Sequence, residues 1–263
     1  MKRTIFREER LQMIMNLLVD QKKVFVNDLA DRFQRSATSI RTDLTELEAR
    51  GLIVRTHGGA ILPERSDDKE LVLDKNILKF REELYAAEKE RISLATLDLI
   101  HDGDSVMIDG GSTTHAVAQA LKQKRGLTLI TTSYYIVATL LQIPDARIYL
   151  VGGLLHREFE DLIGDISTDA LDRFSPDHTI LGIDGISLKH GLTTTEPSVA
   201  QNKRKMISVS KDLIIVADSS KFGKVCLMQV VELDKVDTVI TDNKIRQEYA
   251  DTFANLQTKL IVA

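Results

Sequence analysis

Residues 36–60 constrain this chain more than any other stretch. Ser36-Ala37-Thr38-Ser39-Ile40-Arg41-Thr42-Asp43-Leu44 reads as a short amphipathic helix opened by a hydroxyl cap. Gly51-Leu52-Ile53-Val54-Arg55-Thr56-His57-Gly58-Gly59-Ala60 reads as a turn and a two-stranded wing. Ala37, Ile40, Leu44 and Leu47 recur at helical spacing and form an inner face. Gly51 suits the left-handed residue that ends a helix. Ser36, Thr38, Ser39, Arg41, Thr42 and Thr45 are left outside. An ordinary surface helix carries Glu and Lys there. Small hydroxyls around one Arg suit a major groove about 12 Å wide, where short side chains approach closely and an Arg reaches guanine or phosphate. Arg55 and His57 fall on the wing, whose polar Gly58-Gly59 tip can lie on the DNA backbone or in the minor groove. The competing reading is a three-helix module for protein contacts, and the wing weighs against it.

The rest of the head fits a winged helix-turn-helix. Leu11, Ile14, Met15, Leu18 and Val19 give one apolar face to a helix over 7–19. A short strand is expected at 24–26, then a second helix capped by Asn27 with Leu29, Ala30 and Phe33 buried. Leu62-Pro63-Glu64-Arg65-Ser66-Asp67-Asp68 is polar, contains a Pro and reads as a linker. The expected division is a DNA-binding domain at 1–60, a linker at 61–75 and an effector domain at 76–263.

Charge supports that division. The chain has 263 residues and a net charge of -4, which argues against a uniformly basic nucleic-acid binder. Residues 1–65 nevertheless hold 12 Lys and Arg against 9 Asp and Glu. A mildly basic head on an acidic body suits a head that touches phosphate. The single cysteine, Cys226, allows no intrachain disulfide and fits a reducing cytoplasm. The first residues lack the apolar core of a signal peptide, and no apolar run approaches the roughly 20 residues that cross a bilayer. The expectation is a soluble cytoplasmic protein without membrane contact.

Beyond the linker a long charged helix is expected over 76–100. Short Val- and Ile-rich runs then alternate with helical stretches. The runs are 105–108, 127–131, 147–151, 178–182, 213–217, 236–241 and 259–262, with helices such as 114–121 and 134–141 between them. This is the pattern of a doubly wound α/β domain. Open sheets of that kind bind ligands at the carboxyl ends of their strands. The first such loop is Asp109-Gly110-Gly111-Ser112-Thr113-Thr114. Its glycines let amides approach an anion, its hydroxyls add donors, and a helix amino terminus follows. Similar loops recur at Thr131-Thr132-Ser133, Gly152-Gly153, Gly182-Ile183-Asp184-Gly185 and Asp218-Ser219-Ser220-Lys221. Such loops also serve as plain turns. Their repetition favours a phosphate site, to which Lys221 would bring a full charge. Asp184 and Glu196 are candidate acceptors for sugar hydroxyls, Asp184 with the alternative of steadying its own turn. Lys203 and Arg204 share the next helix, one of them facing the ligand.

Residues 3–60 resemble the amino-terminal domain of the DeoR family of bacterial transcription regulators. The resemblance is carried by Leu29-Ala30, Ser36, Ile40-Arg41, Asp43-Leu44, Leu47-Glu48, Gly51-Leu52-Ile53, Arg55 and His57-Gly58-Gly59-Ala60. Residues 76–263 resemble the same family's sensor domain through the 109–114 loop, Gly182-Ile183-Asp184-Gly185-Ile186, Gly191-Leu192-Thr193-Thr194 and Asp218 to Gly223. The resemblance implies a fold like ribose-5-phosphate isomerase and glucosamine-6-phosphate deaminase, with the old active site sensing a phosphorylated sugar. It also implies a repressor that binds operator DNA as a homo-oligomer, a dimer or tetramer, without catalytic residue, cofactor or metal. This chain has Thr42 where the family usually has a second Arg, Thr132 where it has Asn, and Val199 where it has Glu. The rival hypothesis is a sugar-phosphate isomerase or deaminase with an appended head, and a structural protein is a third. An isomerase has no need of the head.

Overall fold

The computed structural model of the chain describes residues 7–63, 79–157 and 159–263. The linker stretch 64–75 and the expected helix start at 76–78 lie outside them. Two compact units divide between Leu84 and Tyr85.

The first unit holds α1 (Arg7–Gln21), β1 (Lys23–Phe25), α2 (Val26–Phe33), α3 (Ala37–Ala49), β2 (Val54–Thr56) and β3 (Gly59–Ile61). Leu11, Ile14, Met15 and Leu18 of α1, Leu29 and Phe33 of α2 and Ile40, Leu44 and Leu47 of α3 are all buried, and α3 packs against both other helices. Ser36 caps α3 by accepting from the Ser39 amide at 3.2 Å, an interaction worth about 0.5–2 kcal/mol. Leu52 N–H donates to Leu47 O at 3.0 Å and Gly51 N–H to Glu48 O at 2.8 Å. That paired closure needs the φ of 70° that Gly51 supplies. Asn27 does not cap α2. The helix already starts at Val26, and Phe25 holds the cap position without a side-chain bond. The strands form a sheet in the order β1-β3-β2, so the wing pairs back onto the strand before α2.

The second unit opens with α4 (Ala86–Leu97). The long helix expected from 76 is interrupted: residues 79–83 are helical, 84–85 turn, and Tyr85 sits at φ 56° as the residue before α4. A left-handed Tyr cannot continue a right-handed helix. There follow β4 (Ser105–Ile108), α5 (Ser112–Ala120), β5 (Thr128–Thr131), α6 (Tyr134–Leu140), β6 (Arg147–Leu150), β7 (Leu154–His156), β8 (Asp161–Ile163), α7 (Asp165–Leu171) and β9 (His178–Gly182). The chain ends with β10 (Gly185–Ser187), β11 (Gly191–Thr194), α8 (Pro197–Ser208), β12 (Leu213–Val216), β13 (Met228–Val231), β14 (Thr238–Thr241), α9 (Gln247–Asn255) and β15 (Lys259–Val262).

Seven strands form one parallel sheet in the order β15-β14-β12-β9-β4-β5-β6. They are the seven runs expected from the sequence. Both faces of the sheet's central strands β5, β4, β9, β12 and β14 are covered, which explains why their runs are mostly apolar. Alternate residues feed opposite layers. Val106, Ile108, Leu129, Ile180, Ile214 and Ile240 pack with Ile92 of α4, Val117 of α5 and Ile136 and Leu140 of α6. Met107, Ile130, Leu181, Ile215 and Val239 pack with Leu171 of α7, Ala200 and Met206 of α8 and Tyr249 and Phe253 of α9. The domain is doubly wound. Two small antiparallel sheets, β7-β8 and β10-β11-β13, decorate it.

Candidate DNA interface and effector site

In the head, Thr38, Arg41, Thr42 and Thr45 are exposed along one side of α3, Ser36 is exposed at its start, and Ser39 is half-buried. The wing is tied to this helix. The Arg55 amide donates to Glu48 Oε1 at 3.1 Å, and Arg55 Nη1 donates to the Thr45 hydroxyl at 3.0 Å. Arg55 therefore brings its charge beside the hydroxyl face of α3, and His57 sits exposed at the wing tip. One charged residue of α3 points the other way. Asp43 is 1% exposed, accepts from Arg10 Nε at 2.5 Å and Nη2 at 3.0 Å, and also meets Arg7 at 3.4 Å. This pair pins the recognition helix to α1. The inner face read from apolar spacing alone did not include it.

In the second unit, sheet order places the switch point between β4 and β9, where successive strands run away in opposite directions. Asp109 leaves β4 there and is 2% exposed. Its Oδ1 accepts from the Gly182 amide of β9 at 3.0 Å. Its Oδ2 is held by Lys203 of α8, whose ammonium also donates to Gly182 O at 3.0 Å. One carboxylate and one ammonium thus clasp the two strands at the crevice where open α/β sheets take ligands. Burial pushes the Asp109 carboxyl up, against the pull of Lys203 and the Gly182 amide. Of the two cations on α8, Lys203 faces the site. Arg204 donates to Gln229 O and lines a separate groove of about 290 Å³ with Gln229, Glu232 and Lys235.

The Asp109–Thr114 loop runs straight into α5, with Ser112 as its first helical residue and Gly111 as the cap position. Thr113 and Thr114 are buried, and the Thr114 hydroxyl donates to Gly111 O at 3.0 Å. Gly110 is required by contact: a Cβ there would stand 2.7 Å from the Ser133 hydroxyl. Ser133, fully buried like its neighbour Thr132, therefore lies against this loop. The Ser133 hydroxyl donates to Glu160 O at 3.1 Å, and Leu162 N–H donates to Thr132 O at 2.9 Å, which brings β8 alongside.

That strand carries a residue the sequence reading passed over. Asp161 is buried, and its carboxyl is pushed up to about 6 by burial, with the Asp109 charge adding to the rise and Thr132 and Lys203 opposing it. Asn202, next to Lys203, is also buried and donates to Leu162 O at 2.8 Å. Neither stood in a glycine or hydroxyl loop, so no local signal marked them.

The remaining candidates divide. Asp184 accepts from the Thr194 hydroxyl at 2.6 Å, and its charge acts on Asp109. Lys221 stands at the end of the short turn after β12 and acts on Asp218. Burial works against ionisation of Asp218, yet Lys221, Ser220 and Lys89 outweigh it and hold the carboxyl below its usual range. Glu196 is turned to its own helix: it caps α8, accepting from the Ser198 hydroxyl at 2.9 Å. Gly152 is exposed beyond β6, the edge strand two places from β4, with nothing within 4 Å of where a Cβ would stand. Among the described residues no group of three His, Cys, Asp or Glu could hold a metal ion, and no helix is long and apolar enough to cross a membrane.

Comparison with known proteins agrees with both halves. Residues 10–66 match the model of the DeoR-like helix-turn-helix domain, and residues 85–243 match that of the DeoR C terminal sensor domain. The HTH-type transcriptional repressor GlcR of Bacillus subtilis is 33% identical over 260 residues, covering 98% of this chain and 97% of that protein. The glycerol-3-phosphate regulon repressor of Escherichia coli is 34% identical over 229 residues, 87% of this chain and 88% of that protein. A ribose 5-phosphate isomerase A from Neisseria gonorrhoeae aligns at 17% identity and a TM-score of 0.38, over 51% of this chain and 52% of that one. With a family model over most of the sensor unit and a full-length relative of this similarity, the chain belongs to the DeoR family of transcriptional regulators.

Proposed function

We propose that this chain is a repressor of a carbohydrate-utilisation operon, that α3 and the wing bind its operator, and that a phosphorylated sugar at the β4–β9 crevice controls that binding. The observation that supports the effector site most is the convergence at the carboxyl ends of β4 and β9. The glycine–hydroxyl loop, Ser133, Gly182 and Lys203 come from four separate elements and meet around Asp109. A helix amino terminus beside buried hydroxyls suits a phosphate, and Asp184 with Asp161 suits sugar hydroxyls. Its relatives by sequence are repressors, and the reading is of a binding site without turnover. One winged domain reads few base pairs, so at least a dimer is expected on DNA.

The test is operator release titrated with a panel of sugar phosphates and with the unphosphorylated sugars. Lys221→Ala and Thr113→Val should each weaken the response about tenfold or more, as loss of a charge-assisted contact or a donor implies. DNA binding without effector should persist. Parent-like responses from both variants, or equal potency of the unphosphorylated sugar, would remove the phosphate reading. Conversion of ribose-5-phosphate or glucosamine-6-phosphate by the purified protein would instead favour an enzyme.

A further inference from the structure

Two threonines on α3 spend their only hydroxyl proton inside the helix. Thr42 Oγ1 donates to Thr38 O at 3.1 Å, and Thr45 Oγ1 donates to Arg41 O at 2.8 Å. The Thr45 oxygen also accepts from Arg55 of the wing. A threonine hydroxyl has one proton to give, and back-bonding to the residue four before commits it. Thr42 is exposed. With its hydroxyl committed, what it can offer a partner without breaking that bond is a methyl group and an oxygen lone pair. It lies one turn beyond Thr38 and beside Arg41, in the first half of the helix, the part that reaches base edges in this architecture. In the major groove the one apolar feature of a base pair is the C5-methyl of thymine, and a threonine methyl is a fitting contact for it.

We propose that Thr42 is a specificity-determining residue that reads a thymine methyl in each operator half-site. The proposal rests on the reading of α3 as the DNA-contacting helix. It makes the side chain an apolar reader, distinct from the charged reading by Arg41.

The experiment uses the full-length protein and a duplex recovered by selection from a random library. Each dT of the half-site is replaced in turn by deoxyuridine, which removes the methyl and leaves the pairing edge unchanged. Affinity is read by fluorescence anisotropy. At one position the parent should lose about fourfold per half-site, the value of one buried methyl-sized group. Thr42→Ser keeps the hydroxyl and lacks the methyl, so it should bind dT and dU duplexes alike at that position. Thr42→Val keeps the methyl and should discriminate like the parent. A parent indifferent to every dT-to-dU change, a selected half-site without thymine, or a Thr42→Ser protein that still discriminates at every position would each overturn the inference while leaving DNA binding intact. A protein that selects no duplex would overturn the DNA-binding reading itself, and the inference with it.

Discussion

The two units of this chain use charge in opposite ways. In the head the side chains marked for recognition are on the surface, and the buried charges serve the scaffold. Arg41, Thr42, Arg55 and His57 are exposed, whereas Asp43 and Arg10 are buried together. In the sensor unit six of the marked side chains are buried, Asp109, Thr113, Thr114, Thr132, Ser133 and Lys203, while Ser112, Asp184, Glu196 and Lys221 are half-buried. With operator DNA and a phosphorylated sugar as the proposed partners, the difference follows from partner size. A duplex is a long polyanion and can be met only by an outer face, through contacts that salt screens. A small phosphorylated molecule fits a crevice, where low dielectric strengthens each polar contact and makes each unpaired group expensive. Buried charge serves the architecture in the head, whereas in the sensor unit it includes Asp109, Asp161 and Lys203 of the candidate site.

Removing the scaffold charge of the head has the largest expected effect. Asp43→Ala leaves Arg10 buried without its partner and should destabilise the head by about 3–5 kcal/mol. Urea unfolding would read it, and a loss below 1 kcal/mol would mean the pair is not a structural pin. The next effect belongs to the sensor. Folded Asp161 keeps its proton up to about pH 6, whereas its ordinary value is 3.8. The native state binds more protons in that window, so stability falls as pH rises through it. Relative to Asp161→Asn, the parent should lose on the order of 3 kcal/mol between pH 4 and pH 7. Parallel pH profiles for the two proteins would show that Asp161 is not desolvated. A surface effect comes third. Arg41→Ala should weaken operator binding by about 1–3 kcal/mol with folding nearly unchanged, and unaltered affinity would take α3 out of the interface. The smallest effect is an exposed pair in the sensor unit. Lys205 meets Asp172 at 2.9 Å with both side chains substantially exposed. Asp172→Ala should cost about 0–1 kcal/mol. A larger loss, seen by thermal unfolding, would blur the line drawn here between buried and exposed charge.

What the sequence revealed varied with how local the physics was. All seven strands of the parallel sheet were legible, because each is a short run rich in Val, Ile and Leu, and the central ones are buried on both faces. The strands β7, β8, β10, β11 and β13 were not, because each is three or four residues long and broken by a polar residue or a glycine. Ser36 and Gly51 announced the ends of α3 by residue type. Asn27 gave a false cap signal, because Val26 is buried and the helix starts one residue earlier. The interruption at Tyr85 had no glycine or proline to mark it.

The candidate sites follow the same rule. Glycines, hydroxyls and strand ends sit together along the chain, so the 109–114 loop and the outer face of α3 could be named from sequence alone. Which charges meet could not. Asp109 and Lys203 are 94 positions apart, and Arg10 and Asp43 are 33 apart. Lys203 rather than Arg204 faces the crevice because α8 packs Val199, Ala200 and Met206 inward. Glu196 is spent on capping that helix, and Asp161 is drawn in by a hairpin that lies along Ser133. Periodicity, caps and loop chemistry are set by neighbours in the chain, so the residue order alone was enough to place most of the elements and to mark which loops are candidates for a ligand. Charge pairing depends on strand order and helix rotation, which are decided only when the whole core closes.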